Sequence, residues 1–135
     1  MSTDQDIEQQ IQAKGLTAPR VTPRDLHANI ASVHYFTADD GVVGACMGET
    51  IVGGPDAMMK IVNETADAPE SLALLTFCVL VLRNGFTVTG ESACASPENF
   101  DPEIGREIAR ENAVRKVWPL MGYALKAQLS KTNPL

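Results

Sequence analysis

The sequence predicts an α+β fold: a small antiparallel sheet with a central β-hairpin, a helix before the sheet, and C-terminal helices packed on it. Two apolar and β-branched segments, 74–83 and 86–91, flank Asn84-Gly85, the preferred pair of a two-residue hairpin turn. Helical apolar spacing then runs through 102–129. The 135 residues, 44% of them hydrophobic, suffice for one domain with its own core.

Residues 1–21 predict a flexible N-terminal arm that contains a short helix. Thr3 or Asp4 can cap this helix, and Gly15 ends it. Its polar composition and terminal position favour weak order. We therefore expect an arm at 1–21 and a single α+β domain at 22–135.

The domain is expected to begin with a helix and a strand. Thr22-Pro23 offers an N-cap followed by proline at the first helical position, which predicts a helix over 23–32. The β-branched and aromatic residues of 33–37 predict a strand. Residues 38–71 contain five glycines between short apolar pieces and are expected to form a long insert between the first strand and the hairpin.

The hairpin turn sets the expected strand register. With a two-residue turn, Arg83 faces Phe86 and Val81 pairs with Val88. The first hairpin strand is apolar on both faces, whereas a sheet covered on one side needs only one apolar face. The second face must be covered by the insert or by another subunit. We favour a subunit, since two-fold dimers are the commonest assembly.

Asp101-Pro102-Glu103 combines the cap, proline and acid that mark a helix start. Pro119 is expected to bend or interrupt this helix, and Leu120 to begin a second one. The predicted apolar stripe consists of Ile104, Ile108, Ala109, Val114, Val117 and Trp118.

The charge distribution limits the partners. A net charge of −6 argues against nonspecific binding to long nucleic acid, which requires clustered basic residues. Residues 1–72 hold four basic and eleven acidic side chains, while residues 73–135 hold seven basic and six acidic ones. A small anionic ligand therefore remains compatible with the second half of the chain.

Membrane, metal and disulfide chemistry have no clear sequence signal. The longest apolar run, Leu72 to Leu82, is about half a membrane span, and the first residues are polar and acidic. We expect a protein that stays in the cytosol of the cell that makes it, with no membrane partner. The three cysteines lack metal-site spacing, and Cys78 and Cys94 are expected to be small buried residues, so no metal or cofactor is predicted.

An enzyme should offer a nucleophile with a base, paired carboxylates or a metal cluster. The only histidines, His27 and His34, are poorly spaced for a joint site. Glu91 and Ser92 can be drawn as a catalytic pair, but the end of the hairpin explains both. We expect no catalysis, and we keep Glu91 and Ser92 as ligand-binding candidates.

Arg106 and Arg110 lie four residues apart and share a helix face, where like charges repel unless something offsets them. Two interpretations are open. Glu103, Glu107 and Glu111 can neutralise the arginines on a solvated face, which is common. Alternatively, the arginines bind phosphate, for which the guanidinium fork is well suited.

The loop before this helix offers further ligand groups. A helix N-terminus presents free backbone N–H groups that favour an anion. Asn99 can pair with a base edge, and Phe100 can stack on a base, although a core role is at least as common for phenylalanine. A small nucleotide with phosphates would use all of these groups.

Several motifs resemble a family of small phage and prophage accessory proteins, with the most specific likeness over residues 73–125. The segments that carry it are Thr76-Phe77-Cys78-Val79-Leu80-Val81-Leu82, Asn84-Gly85-Phe86, Thr89-Gly90-Glu91-Ser92-Ala93-Cys94, Pro97-Glu98-Asn99-Phe100-Asp101, Ile104-Gly105, Ala109-Arg110-Glu111-Asn112-Ala113, Trp118-Pro119-Leu120 and Gly122-Tyr123. His34-Tyr35-Phe36 looks like the family's upstream aromatic strand, and residues 38–71 look like a variable insert. The likeness to phage proteins implies that the expected cytosol is that of a bacterial host.

One branch of that family comprises the Thoeris anti-defence sponges. The resemblance implies a non-catalytic protein that binds cyclic ADP-ribose isomers, and cyclic oligonucleotides in some relatives, between subunits of a homodimer or of a hexamer of three dimers. It implies phosphate-binding roles for Arg106 and Arg110, and base stacking by Phe77 or Phe100. The alternatives are a protein–protein inhibitor of a host enzyme and, third, a nucleotide-processing enzyme.

Overall fold

A computed structural model describes residues 3–45 and 69–132 and has the predicted α+β fold. The strands form one antiparallel sheet in the order β1-β2-β3. In chain order the elements are α1 (Asp4–Ala13), α2 (Pro23–Ala28), β1 (Ile30–Thr37), α3 (described over 38–45), a 3₁₀ turn (Glu70–Leu74), β2 (Leu75–Leu82), β3 (Thr87–Ala93), a second 3₁₀ turn (Pro97–Asn99) and α4 (Pro102–Thr132). Most of the predicted insert lies outside the described residues.

The first three helices start with the same Thr-x-x-Asp device. In α1 the Thr3 hydroxyl accepts the Asp6 N–H at 3.1 Å, and the Asp6 carboxylate accepts the Thr3 N–H at 3.0 Å. Thr22 and Asp25 repeat this exchange at α2, as do residues 37 and 40 at α3. Each pair satisfies two backbone donors that a helix start leaves free, which confirms the predicted starts of α1 and α2.

α2 is shorter than the predicted helix over 23–32, because the following strand begins earlier. Ile30 pairs with Leu82 of β2, so β1 covers Ile30–Thr37 rather than 33–37. The Arg83 side chain donates from Nε to the Ala28 carbonyl at 3.0 Å, which satisfies an acceptor at the end of α2. Pairing with a strand fifty residues away thus overrides the local helical pattern.

The hairpin exists, but its predicted register is wrong by one residue. The Leu82 N–H donates to the Phe86 carbonyl at 2.8 Å, and the Gly85 N–H donates to the Leu82 carbonyl at 2.9 Å. The turn therefore has three residues and ends at Gly85, whose φ of +88° suits glycine. Val81 consequently pairs with Thr87 rather than Val88.

This register sorts the side chains of the sheet. Leu80 pairs with Val88 and Cys78 with Gly90, so these four residues share the face that packs against α4. The other face of β2 carries half-buried apolar residues opposite threonines and Glu91 of β3. The buried core consists of Leu26, Cys78, Leu80, Leu82, Val88, Ala109, Ala113 and Val117.

α4 contacts the sheet through small residues rather than through the isoleucines of the predicted stripe. Ile104 is 55% exposed and Ile108 42% exposed, while Ala109 and Ala113 are fully buried. A Cβ on Gly90 would lie 2.2 Å from the Ala109 carbonyl oxygen and 2.3 Å from the Ala113 nitrogen. The helix backbone thus rests directly on the backbone of β3, which a larger side chain would prevent.

α4 is one continuous helix of 31 residues, not the two helices expected around Pro119. Asp101 caps it as predicted, since its Oδ1 accepts the Glu103 N–H at 2.9 Å. The helix is about 46 Å long at 1.5 Å per residue, whereas an eight-residue strand spans about 26 Å. Its buried residues end at Val117, so Pro119 lies where α4 leaves the core.

Candidate functional site

The hairpin residues predicted to bind ligand lie on two different faces of the sheet. Phe77 and Glu91 are direct cross-strand neighbours on the face opposite α4. Ser92 pairs with the buried Thr76 and points toward α4. The Phe77 ring stacks on Phe36 with centroids 5.4 Å apart, so it already has an aromatic partner. These three candidates therefore do not form one site within a single chain.

The loop before α4 uses its polar groups internally. Phe100 is half-buried, and its Cε2 lies 3.7 Å from where a Cβ on Gly105 would be, which indicates packing rather than a free stacking face. Asn99 is exposed. The Asp101 carboxylate accepts the N–H groups of Glu103 and Ile104, so two of the donors expected to meet an anion are occupied.

Arg106 and Arg110 are exposed and lie one turn apart along α4. Arg106 is close to α3: the Thr37 hydrogen bonds lower the pKa of the Asp40 carboxyl, and the Arg106 charge lowers it further. Within residues 3–45 and 69–132, neither arginine forms an ion pair shorter than 4 Å with a carboxylate. In the described part of the chain, the neighbouring glutamates therefore form no ion pair with either arginine.

An open groove of about 670 Å³ runs along the outer flank of α4 and has the size of a small-molecule site. Its cationic groups are Arg110 and Arg115, and its carboxylates belong to Asp4, Glu107 and Glu111. The remaining lining residues are Thr3, His27, Val114 and Trp118. We call this feature the α4 groove, and it combines charge of both signs with an aromatic surface.

Trp118, the single tryptophan, lines the α4 groove. Its indole Nε1 donates to the Asp4 Oδ2 at 3.2 Å, which joins α4 to the first turn of α1. The sequence favoured a purely core role for Trp118, and the residue is indeed half-buried beside the core. It nevertheless presents part of its surface to the groove.

A second cavity, of about 250 Å³, lies beneath α1. Its lining is mainly apolar and includes Ile7, Ile11, Val21, Pro23 and Trp118. The arginine at its rim, Arg20, is held by the Glu8 carboxylate through two hydrogen bonds of 2.6 Å. Because this guanidinium is already paired in bidentate geometry, the cavity suits an anion less well than the α4 groove.

The buried thiol of Cys78 is not poised for nucleophilic chemistry. Burial raises the pKa of the Cys78 thiol, and the positive charge of Arg110 offsets only part of this effect. Among the described residues, no three or more His, Cys, Asp or Glu side chains are grouped as metal ligands would be. No described helix is long and apolar enough to span a membrane.

The fold and the site define a small α+β domain with one long helix and a groove lined by charges of both signs. Residues 21–129 match the model of the phage protein (N4 Gp49/phage Sf6 gene 66) family, and the chain belongs to this family. The predicted relation to a phage protein family is thereby confirmed. Comparison with curated proteins and with solved structures gives no match.

Proposed function

We propose that this phage protein binds a small cyclic nucleotide of the cyclic ADP-ribose type and sequesters it without cleaving it, which would block Thoeris-type immunity built on TIR enzymes. The α4 groove carries the proposal. It places Arg110 and Arg115 beside Glu107, Glu111 and the Trp118 ring in one space of nucleotide size.

Each part of such a ligand has a matching group in the groove. Guanidinium groups bind phosphate oxygens in two-point geometry. Carboxylates accept hydrogen bonds from ribose hydroxyls, as they do in dinucleotide-binding folds. The Trp118 surface offers an apolar and aromatic contact for a base. Arg106, one turn from Arg110, extends the positive charge toward Asp40.

The same charges disfavour a long nucleic acid. Three carboxylates line the groove with the two arginines, so a polyanion would meet repulsion in the groove as well as attraction. The net charge of −6 acts in the same direction at longer range. A ligand with few phosphates and several hydroxyls fits this balance, and compact cyclic oligonucleotides are included as further ligands.

We propose a homodimer as the working assembly, with a hexamer of three dimers as the alternative. The half-buried apolar residues of β2 on the face opposite α4 support this proposal, because a second subunit can bury them. Light scattering should give at least twice the 14.5 kDa of one chain. A mass of one chain at micromolar concentration would contradict the dimer.

Calorimetry with individual cyclic ADP-ribose isomers tests the ligand. Wild-type protein should bind at least one isomer, and Arg110→Glu should weaken binding by more than about 100-fold, because a repelling charge replaces a phosphate contact. Lys126→Glu, the same charge reversal on the same helix outside the groove, is the matched control. Absence of heat for every isomer and every cyclic oligonucleotide, with folded protein, would refute the function.

Release of the bound nucleotide by heat denaturation distinguishes sequestration from catalysis. Bound nucleotide recovered after denaturation should have its original mass, whereas a nucleotide-processing enzyme would return an altered product.

The protein–protein alternative has its own support in the apolar sheet face around the stacked Phe36 and Phe77 rings. It predicts that one host enzyme binds stoichiometrically and that Arg110→Glu has no effect on this binding. Phe77→Asp should then abolish the interaction.

A further inference from the structure

We propose that α1 is a detachable strap whose acidic first turn closes one end of the α4 groove. The part of the proposal that concerns ligand affinity rests on the proposed function. The part that concerns the detachment of α1 is independent of any ligand. It rests on how α1 is attached, on which residues it brings to the groove, and on the charge of those residues.

The attachment of α1 is shallow: its hydrogen bonds to the rest of the chain are few, and its apolar residues Ile7 and Ile11 line an open cavity rather than packing into the core. None of its ten residues is buried. Glu8 holds Arg20 of the following linker through two hydrogen bonds of 2.6 Å, so this pair shapes the arm itself. Asp4 accepts the Trp118 indole N–H at 3.2 Å and joins the arm to α4. The Asp4–Trp118 hydrogen bond is exposed to water, and the part-buried Glu8–Arg20 pair joins α1 to its own linker rather than to α4, so neither contact contributes much to holding α1 against α4.

The helix does not depend on the body for its own start. Its capping box between Thr3 and Asp6 is internal to the first turn. Release from Trp118 therefore leaves the cap intact, and α1 can move as a unit on the linker at residues 14–22. An arm of this kind can open without any change in the sheet or in the core.

The first turn of α1 brings negative charge to a groove that is proposed to bind phosphate. Thr3 and Asp4 line the same groove as Arg110 and Arg115. A carboxylate at this position repels an anionic ligand and occupies part of the space. When α1 detaches, the groove loses this carboxylate and becomes more positive, so an anion should bind more tightly in the open state.

Trp118 reports the strap directly, because it is the only tryptophan and its ring contacts Asp4. We compare quenching of its fluorescence by acrylamide, which is neutral, with quenching by iodide, an anion that responds to local charge. Asp4→Asn keeps an oxygen acceptor for the indole but removes the charge. It should raise iodide quenching roughly twofold at low salt and leave acrylamide quenching nearly unchanged.

The double variant Asp4→Ala/Glu8→Ala should release α1. Both quenchers should then reach Trp118 more often, while the free energy of unfolding falls by no more than about 1 kcal/mol, because the changed side chains lie outside the buried core. Glu70→Gln removes an exposed carboxylate elsewhere and is the matched control. Unchanged quenching by both agents in the double variant would overturn the strap.

Titration with the cyclic ADP-ribose isomers then tests how the detachment of α1 changes ligand affinity. The double variant should bind roughly three- to tenfold more tightly than wild type, since one repelling charge leaves the groove. Equal affinity in the two proteins, with increased Trp118 quenching in the variant, would overturn the closing role. If no variant binds any nucleotide, the proposed function fails, and the iodide result with Asp4→Asn still decides whether α1 shields the groove.

Discussion

The two sides of α4 are fixed by different physics. On the inner side, Ala109 and Ala113 touch the backbone of β3 at Gly90, and there is no room for one more carbon atom. On the outer side, Arg110 and Arg115 are exposed and line an open groove. The inner side therefore determines where the helix lies, while the outer side can change its chemistry without changing the fold.

The largest expected effect comes from Gly90→Val. Its Cβ would overlap the Ala109 carbonyl and the Ala113 nitrogen, which are backbone atoms and cannot swing away. We expect a loss of more than about 4 kcal/mol in the free energy of unfolding, at the upper end for a single substitution. Urea denaturation measures it. Gly122→Ala, where nothing lies within 4 Å, is the control and should be neutral or stabilising.

The next contrast is between truncating a side chain of the core beneath α4 and truncating an exposed side chain of α4 itself. Leu80 is fully buried, so Leu80→Ala should lower the free energy of unfolding by about 3 kcal/mol. Ile104, which the sequence placed in the core stripe, is 55% exposed, and Ile104→Ala should cost less than about 0.5 kcal/mol. Equal losses for the two variants would show that the inner side of α4 is wrongly assigned.

A smaller effect is expected at α2, which places His27 beside the groove. Thr22→Ala removes the hydroxyl that accepts the Asp25 N–H at 3.0 Å and should cost about 1 kcal/mol. Thr17→Ala, at an exposed linker position, should have no measurable effect. A thermal shift for both variants would argue against the capping role.

The smallest effect is a dependence on pH. Hydrogen bonds from Thr22 lower the pKa of the Asp25 carboxyl in the folded protein, so its contribution to stability is complete above its unfolded pKa. This contribution is lost as the pH falls through the lowered folded pKa, below about pH 4. NMR titration of Asp25 should show the low pKa in wild type and a value nearer the ordinary one in Thr22→Ala.

Local signals were the most predictable part of the molecule. The starts of α1, α2 and α4 follow from caps only two or three residues away, so the sequence located them correctly. The hairpin was correct in place but wrong in register, because a three-residue turn ending at Gly85 and a two-residue turn share the same Asn-Gly signal. In the predicted stripe of α4, Ala109 and Val117 are indeed buried, whereas Ile104 and Ile108 are exposed. Ala113 was missed because small residues carry little hydrophobic signal, although they permit close approach.

The candidate site was predictable only in part. Arg110 was identified from its spacing to Arg106, and both remain exposed on α4. Arg115 lies on the same helix and could have been found from its proximity in sequence. His27 and Asp4 could not, since they reach the groove from α2 and α1, more than eighty residues earlier in the chain.

By itself, the sequence determined the α+β class, the helix starts, the presence of the hairpin and the membership in a phage protein family. These depend on patterns within a few residues or on motifs that recur along the chain. Only the tertiary structure decided the strand register, the inner face of α4 and the α4 groove. Each of these depends on backbones that approach from distant segments, and Gly90 beneath Ala109 and Ala113 sets how closely they can do so.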